Sequence, residues 1–222
     1  MVIASPARIA PEDTLSAAMK KGSAVEHEQA EGSSYMAALL DGRMDAAGYI
    51  AYLQRLRLVY DALESTGRAL ADDPIASAVI DPALDRLPAI DADLQHWAPN
   101  GVPEVVSPAA AAYVERITDS VTWGGAFVAH HYTRYLGDLS GGQAIGRILD
   151  RSFDLDGAGI AFYAFDEVGK VKPYKDRYRD RLDQVGAAMS YDDRQRLVDE
   201  VRLSFGFNQA LFEELSELYP GR

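Results

Sequence analysis

The 222-residue sequence contains no cysteine. That absence excludes thiolate nucleophiles, Cys-ligated zinc and iron–sulfur clusters, and it leaves the fold without disulfides. Basic residues are also short, 22 against 34 acidic ones, for a formal net charge of −12. So acidic a chain does not suit a nucleic-acid surface. No stretch approaches the ~20 apolar residues of a membrane span. Residues 1–10 carry only Arg8 as a charge and no long apolar run, so a secretory signal is not expected. A cytoplasmic location is therefore the expectation.

Histidine is the other scarce residue, at positions 27, 96, 130 and 131 only. A helical di-iron oxidase needs Glu-x-x-His pairs on facing helices, and the nearest match is a single Asp93-x-x-His96. His130 and His131 are adjacent, so on a helix they point about 100° apart and do not readily share a metal. No G-x-S-x-G elbow supports a serine triad.

What is present reads as an ordinary globular chain, 48% hydrophobic and 25% charged. Its length fits one domain, large enough to bury ~70% of its unfolded surface and still enclose a cavity. Residues 1–12, with Pro6 and Pro11, read as a flexible leader, and residues 13–222 as the domain. The apolar period beyond the leader is helical nearly throughout, which predicts an all-α fold of seven to nine helices. Asp13 or Thr14 can cap a helix that runs past His27, and Asp45 a long one with Tyr49, Leu53, Leu56, Tyr60 and Leu63 on one face. Asp81-Pro82 and Ser107-Pro108 each open a helix, and Pro88 should break or bend the first. Pro173 falls in the first turn of a basic helix, and Ser190 caps a last helix ending near Leu218.

Three features carry chemistry. In the first, Glu31 follows His27 by four residues, on the same helical face. A carboxylate behind an imidazole fixes the tautomer of a metal ligand, although a surface His–Glu contact has the same spacing. The second is the stretch from Tyr132 to Gln143, which is helical in period yet contains Gly137, Gly141 and Gly142, with Gly146 close behind. Each mid-helix glycine costs ~1 kcal/mol relative to alanine. Gly137 and Gly141 share a face, where bare backbone makes a flat wall for a flat ligand or a seat for a neighbouring helix. The third lies between Lys170 and Arg181, where six cations meet two carboxylates in an otherwise acidic chain. Lys172, Lys175 and Arg179 form one stripe, and Lys20 lies seven residues before His27, on its face. Such a stripe can hold carboxylates or dock an acidic partner; it can also be a solvated face. A flat ligand with anionic groups and an axial histidine satisfies all three features, and haem is such a ligand.

The string from Tyr132 to Gln143 resembles the distal-helix signature of the biliverdin-producing haem oxygenases, and the segment from His27 to Glu31 resembles their proximal helix. The likeness spans roughly residues 14–218. It implies haem b, both cofactor and substrate, sandwiched between a proximal and a kinked distal helix. The implied reaction uses dioxygen and electrons to open the ring at the α-meso carbon, giving biliverdin, carbon monoxide and ferrous iron. By the same resemblance His27 is the iron ligand, with Glu31 on its other ring nitrogen. Gly137 and Gly141 form the distal wall. Asp138 organises water beside bound dioxygen, joined by Tyr60 and Arg134. Lys20, Tyr132, Lys175 and Arg179 hold the propionates, and Phe205, Asn208 and Phe212 close the pocket. An electron-donor protein, a ferredoxin or an NAD(P)H-dependent reductase, is the implied partner, and a monomer the implied state. Some members carry a lysine three residues before the proximal histidine, where this chain has Ala24. The C-terminal membrane anchor of the vertebrate enzymes has no counterpart before Arg222, so a soluble bacterial-type member is expected. A haem carrier or sensor without turnover would use the same pocket.

Overall fold

The computed structural model describes residues 8–102 and 104–220, and among these there is helix and no strand. Ten α-helices follow in order: α1 Leu15–Gly22, α2 Ala24–Glu31, α3 Ser34–Leu40, α4 Ala46–Ala69, α5 Leu87–Trp97, α6 Pro108–Asp119, α7 Gly124–His131, α8 Gln143–Phe153, α9 Val171–Ala188 and α10 Tyr191–Leu218. The helix starts follow local chemistry. Side chains of Thr14, Ser33, Asp45, Ser107 and Ser190 each accept a backbone N–H in the first turn of the helix they precede. Each such cap is worth ~1 kcal/mol.

Three expectations fail for identifiable reasons. The described residues form ten α-helices rather than seven to nine, in part because the first predicted helix divides in two. The first helix does not run unbroken past His27, because Ser23 leaves helical geometry at φ −113°, ψ 11°. Just before it Gly22 meets Val198 of α10 so closely that an added Cβ would lie 2.4 Å from Val198 Cγ1. At Asp81-Pro82 only the short 3-10 turn Pro82–Leu84 forms, and Pro88 then sits in the first turn of α5, where its missing N–H has no partner to lose. Residues 1–7 of the leader lie outside the described residues. Ile9 is buried, its N–H donating to Gln195 and its carbonyl accepting from Tyr191, both on α10.

The core is built on α4 and α10. The α4 stripe of Tyr49, Leu53, Leu56, Tyr60 and Leu63 is buried, and α4 packs against α5, α6 and α7. The long α10 touches α1, α2, α3, α4, α6 and α7. The turn after α8 requires Gly159: its φ is +75°, and a Cβ there would lie 2.4 Å from the His96 ring. The Trp97 indole donates to its carbonyl at 2.7 Å.

Buried charge is held by ion pairs or by backbone groups, as where Asp93 accepts the Ala161 and Phe162 N–H bonds. Glu214 accepts from Arg55 of α4, Ser107 and the Ala109 N–H, tying α4 and α6 to α10. Burial alone would raise the Glu200 carboxyl, but hydrogen bonds from His130 and Arg116 outweigh it and hold the group at about 2. Burial, aided by the Arg181 charge, pushes His131 down to about 3. Both groups therefore titrate lower in the folded than in the unfolded chain, where they sit near 4.5 and 6.5. Their stabilisation is complete above pH 6.5. It is lost as pH falls, from 6.5 toward 3 for His131 and from 4.5 toward 2 for Glu200. Between pH 6.5 and 4.5 the His131 share is about 2–3 kcal/mol, or roughly 5–10 °C in melting temperature for a chain of this size. The melting curve of His131→Phe is expected to be flatter by that amount over this interval. Parallel curves for variant and parent would show that His131 does not carry the acid sensitivity.

Candidate functional site

The glycine-rich stretch is one continuous run of right-handed helix from α7 to α8, with φ −60° and ψ −52° at Gly137. Its hydrogen-bond ladder widens in two π-helical stretches, Tyr132–Leu136 and Asp138–Gly142. Such turns are rare and cluster at functional sites. The expected kink thus takes the form of a loosened ladder.

The four glycines divide into two pairs. Gly142 and Gly146 face Tyr163, whose ring would lie 3.0 and 3.4 Å from their added Cβ atoms. They are a packing seat. An added Cβ at Gly137 or Gly141 would meet nothing within 4 Å, and both residues are exposed while Leu136, Asp138, Leu139 and Gly142 are buried. They present bare backbone to an open face. No neighbouring helix is seated on Gly137 and Gly141; the packing role falls to Gly142 and Gly146 instead.

Behind that backbone lies a buried polar network. Asp138 accepts from the Tyr60 hydroxyl and, at 3.3 Å, from Arg134 Nη2. Arg134 Nη1 donates to Asn208 Oδ1 at 2.8 Å, and the guanidinium lies 5.5 Å from the Tyr60 ring centre. Burial pushes the Asp138 carboxyl well above the usual carboxylate range. Tyr52, which the sequence reading did not include, stands close enough to feel the Arg134 charge.

On the other side, His27 is half exposed, with Nδ1 3.5 Å from Glu31 Oε2. Its ring meets Phe205 edge-on at 5.3 Å. Only Ala30 of α2 is buried, so this helix has an open side. Phe205 and Asn208 are three residues apart on α10, about 4.5 Å along the axis. A single turn of α10 therefore touches His27 with one side chain and holds Arg134 with the next. Phe212, one turn further on, is buried and stacks on Tyr35.

The cationic residues are partly gathered at this face. Lys175 Nζ bonds Ser140 Oγ, next to Gly141, at 3.1 Å. Burial and the nearby Arg179 charge lower the Lys175 pKa. Arg179 is also near the largely buried Tyr132 hydroxyl, and it pairs with Asp176 at 3.3 Å. Lys172 instead turns to solvent, paired with Asp176 at 2.7 Å. Lys20 is exposed on α1. Leu15 packs on Gly186 and the Ser16 N–H bonds Asp183, so α1 runs antiparallel to α9 and carries Lys20 toward Arg179. His130 and His131 are buried, bonded to Glu200 and Tyr178 respectively. Ser140 and Tyr163 escaped the sequence reading, since neither is recognisable without the contact that gives it a role.

One turn of α10 thus links an imidazole whose Nε2 has no protein partner among the described residues to the buried Asp138 network, beside which lie bare helix backbone and Lys175. Residues 13–214 match the family model described as heme oxygenase. Heme oxygenase 1 of Synechocystis sp. is 33% identical, covering 90% of this chain and 84% of its own length. Heme oxygenase 1 of Homo sapiens is 36% identical, covering 94% and 73%. Among solved structures, heme oxygenase-1 from Synechocystis sp. PCC6803 in complex with heme superposes with a TM-score of 0.86 at 31% identity, covering 93% of this chain and 94% of that one. Heme oxygenase from Leptospira interrogans gives the same TM-score at 30% identity, covering 91% and 100%. Matched along nearly all of its helical body in both sequence and fold, the chain belongs to the heme oxygenase family.

Proposed function

We propose that the chain degrades haem, taking haem b as both cofactor and substrate and using dioxygen and electrons to open the ring at the α-meso carbon. The products are biliverdin, carbon monoxide and ferrous iron. The observation that carries this reading is the pair Gly137 and Gly141, exposed and free of neighbours, directly beside the buried Asp138 network.

The residues present fit a haem. The partnerless His27 nitrogen would bind the haem iron, with Glu31 placed to hold the other ring N–H. A planar macrocycle needs a wall without side chains, and Gly137 and Gly141 are such a wall. Lys175, Arg179 and Tyr132, joined by Lys20 from α1, would pair with the propionates and fix the ring's rotation, and with it the meso carbon presented. Phe205, edge-on to His27, would line the apolar side, backed by Phe212, which is packed on Tyr35 and Tyr52.

Bound haem supplies the iron that activates dioxygen and the ring that is cleaved. The protein supplies exclusion, orientation and a proton. Asp138, held above the usual carboxylate range by burial, keeps a proton to pass on through water. Tyr60 and Arg134 fix its two oxygens, and Asn208 fixes Arg134. No imidazole of the described structure bonds into this network to pull at dioxygen. The cationic helix α9 is the proposed landing site for an acidic electron-donor protein.

The test is an absorption time course. Apo-protein is mixed with one equivalent of hemin, then ascorbate is added in air with catalase present. A sharp Soret band that decays into the broad red absorption of biliverdin is expected. A band that persists even with an added reductase would make the protein a haem carrier or sensor. With a ferredoxin and its reductase as donor, added salt is expected to slow turnover, and salt-independent rates would exclude electrostatic docking.

A further inference from the structure

A line of aromatic rings leads away from the distal carboxyl. The Tyr60 ring, whose hydroxyl bonds Asp138, meets Tyr135 edge-on at 5.3 Å. Tyr135 lies 4.3 Å from the His131 ring, and His131 stacks on Tyr178 at 5.8 Å. Tyr174 stands one turn before Tyr178 on α9, and the Arg181 guanidinium lies within 6 Å of both rings. All five rings are buried.

Packing needs only rings, and phenylalanine would serve it. Here three of the four tyrosines are bonded to a proton acceptor: Tyr60 to Asp138, Tyr178 to His131 Nδ1 at 2.8 Å, and Tyr174 to Asp81 at 2.7 Å. With its proton on Nε2, neutral His131 accepts the Tyr178 O–H bond at Nδ1. A phenol loses an electron readily only when its proton has somewhere to go, and this line provides that at successive stations.

The structure assigns to these residues a protective function: they conduct single oxidising equivalents from the haem face to Tyr174 in the first turn of α9, with Tyr178 and His131 as the central proton-coupled station. The assignment rests on haem occupying the face in front of Gly137. The oxidant is hydrogen peroxide acting at bound haem in place of productive chemistry. One electron leaves Tyr60; as its phenolic proton passes to one oxygen of Asp138, the proton Asp138 already holds passes on to water at the haem face. Tyr178 then returns an electron through His131 and Tyr135; its O–H bond breaks and an N–H bond forms on His131, while Tyr60 takes a proton back from Asp138, which water reprotonates. Tyr174 repeats the exchange with Asp81 as acceptor, which restores Tyr178 and neutral His131. A small reductant such as ascorbate finally gives Tyr174 an electron, and Asp81 returns the proton. Two passages deliver two electrons, the reductant supplies two protons, and peroxide leaves as two waters.

Haem-loaded protein would be treated with hydrogen peroxide without reductant, frozen within milliseconds and measured by electron paramagnetic resonance. A tyrosyl signal that collapses in Tyr178→Phe is expected, with faster haem bleaching in that variant and unchanged reductase-supported turnover. A signal and bleaching rate identical to the parent's would overturn the assignment. A second arm needs no haem: a photo-oxidised ruthenium polypyridyl complex oxidises the apo-protein, and tyrosyl formation is followed by absorption. A solvent deuterium effect on its rate is expected in the parent and lost in His131→Phe; its survival in the variant would remove His131 from the station. If hemin produced no Soret band, the haem reading would fail, while the apo-protein arm would still decide the Tyr178–His131 station.

Discussion

Asp138→Ala is expected to take up haem as the parent does and to form biliverdin at least ~100-fold more slowly, the size of effect general-acid groups supply. Haem uptake survives because Asp138 stands behind the Gly137 backbone and bonds Tyr60 and Arg134, while the groups placed to hold haem lie elsewhere. The alanine leaves two buried donors unpaired, at a cost of about 1–3 kcal/mol each. Asp138→Asn separates this structural loss from the chemical one. The amide keeps one acceptor oxygen, enough for one of the two donors, and has no carboxyl proton to exchange. Equal turnover loss in both variants, with the melting temperature partly restored only in asparagine, assigns the effect to the proton. Full turnover in Asp138→Asn would take the carboxyl out of the proton route.

The second large effect is on binding. His27→Ala removes an imidazole that no other histidine replaces, since His130 and His131 are buried and engaged in the core and His96 lies on α5 against Gly159. Loss of a mere supporting partner costs a metal site 10–100-fold in affinity, so loss of the ligand itself is expected to cost at least that. Titration with hemin should show weaker binding and a shifted, broadened Soret band. Because His27 is half exposed and contributes little to the core, the melting temperature of the apo-protein should be unchanged. An unaltered Soret band and activity would rule out His27 as the ligand.

How much of this was legible in the sequence depends on the range of the interaction. The caps at Thr14, Asp45, Ser107 and Ser190 each concern a side chain and a backbone N–H three residues on, so the sequence reading located them. The stripe on α4 was legible for the same reason: its period is local. The break at Ser23 was not, because part of its cause is Val198, far along the chain. The glycines of 137–146 could not be sorted without knowing that Tyr163 arrives against two of them. The adjacency of His130 and His131 showed that they point apart, but not that one meets Glu200 and the other Tyr178. The resemblance to a known family supplied the network residues Tyr60, Arg134 and Asn208, which no spacing rule would have linked. The structure brings them together.

The two π-helical stretches also set a phase. Each wide turn takes up one residue more than an α-turn, so side chains beyond it emerge about 100° from where an unbroken α-helix would carry them. The run from Gly124 to Phe153 is thus two screws of different phase joined end to end. The first is indexed by α10 and α4, on which α7 packs; the second by Tyr163, which seats Gly142 and Gly146, and by α3. The bare wall sits at the joint, tied to α4 and α10 through Asp138 and Arg134 on one side and to Tyr163 through Gly142 on the other, so its register answers to both anchors at once.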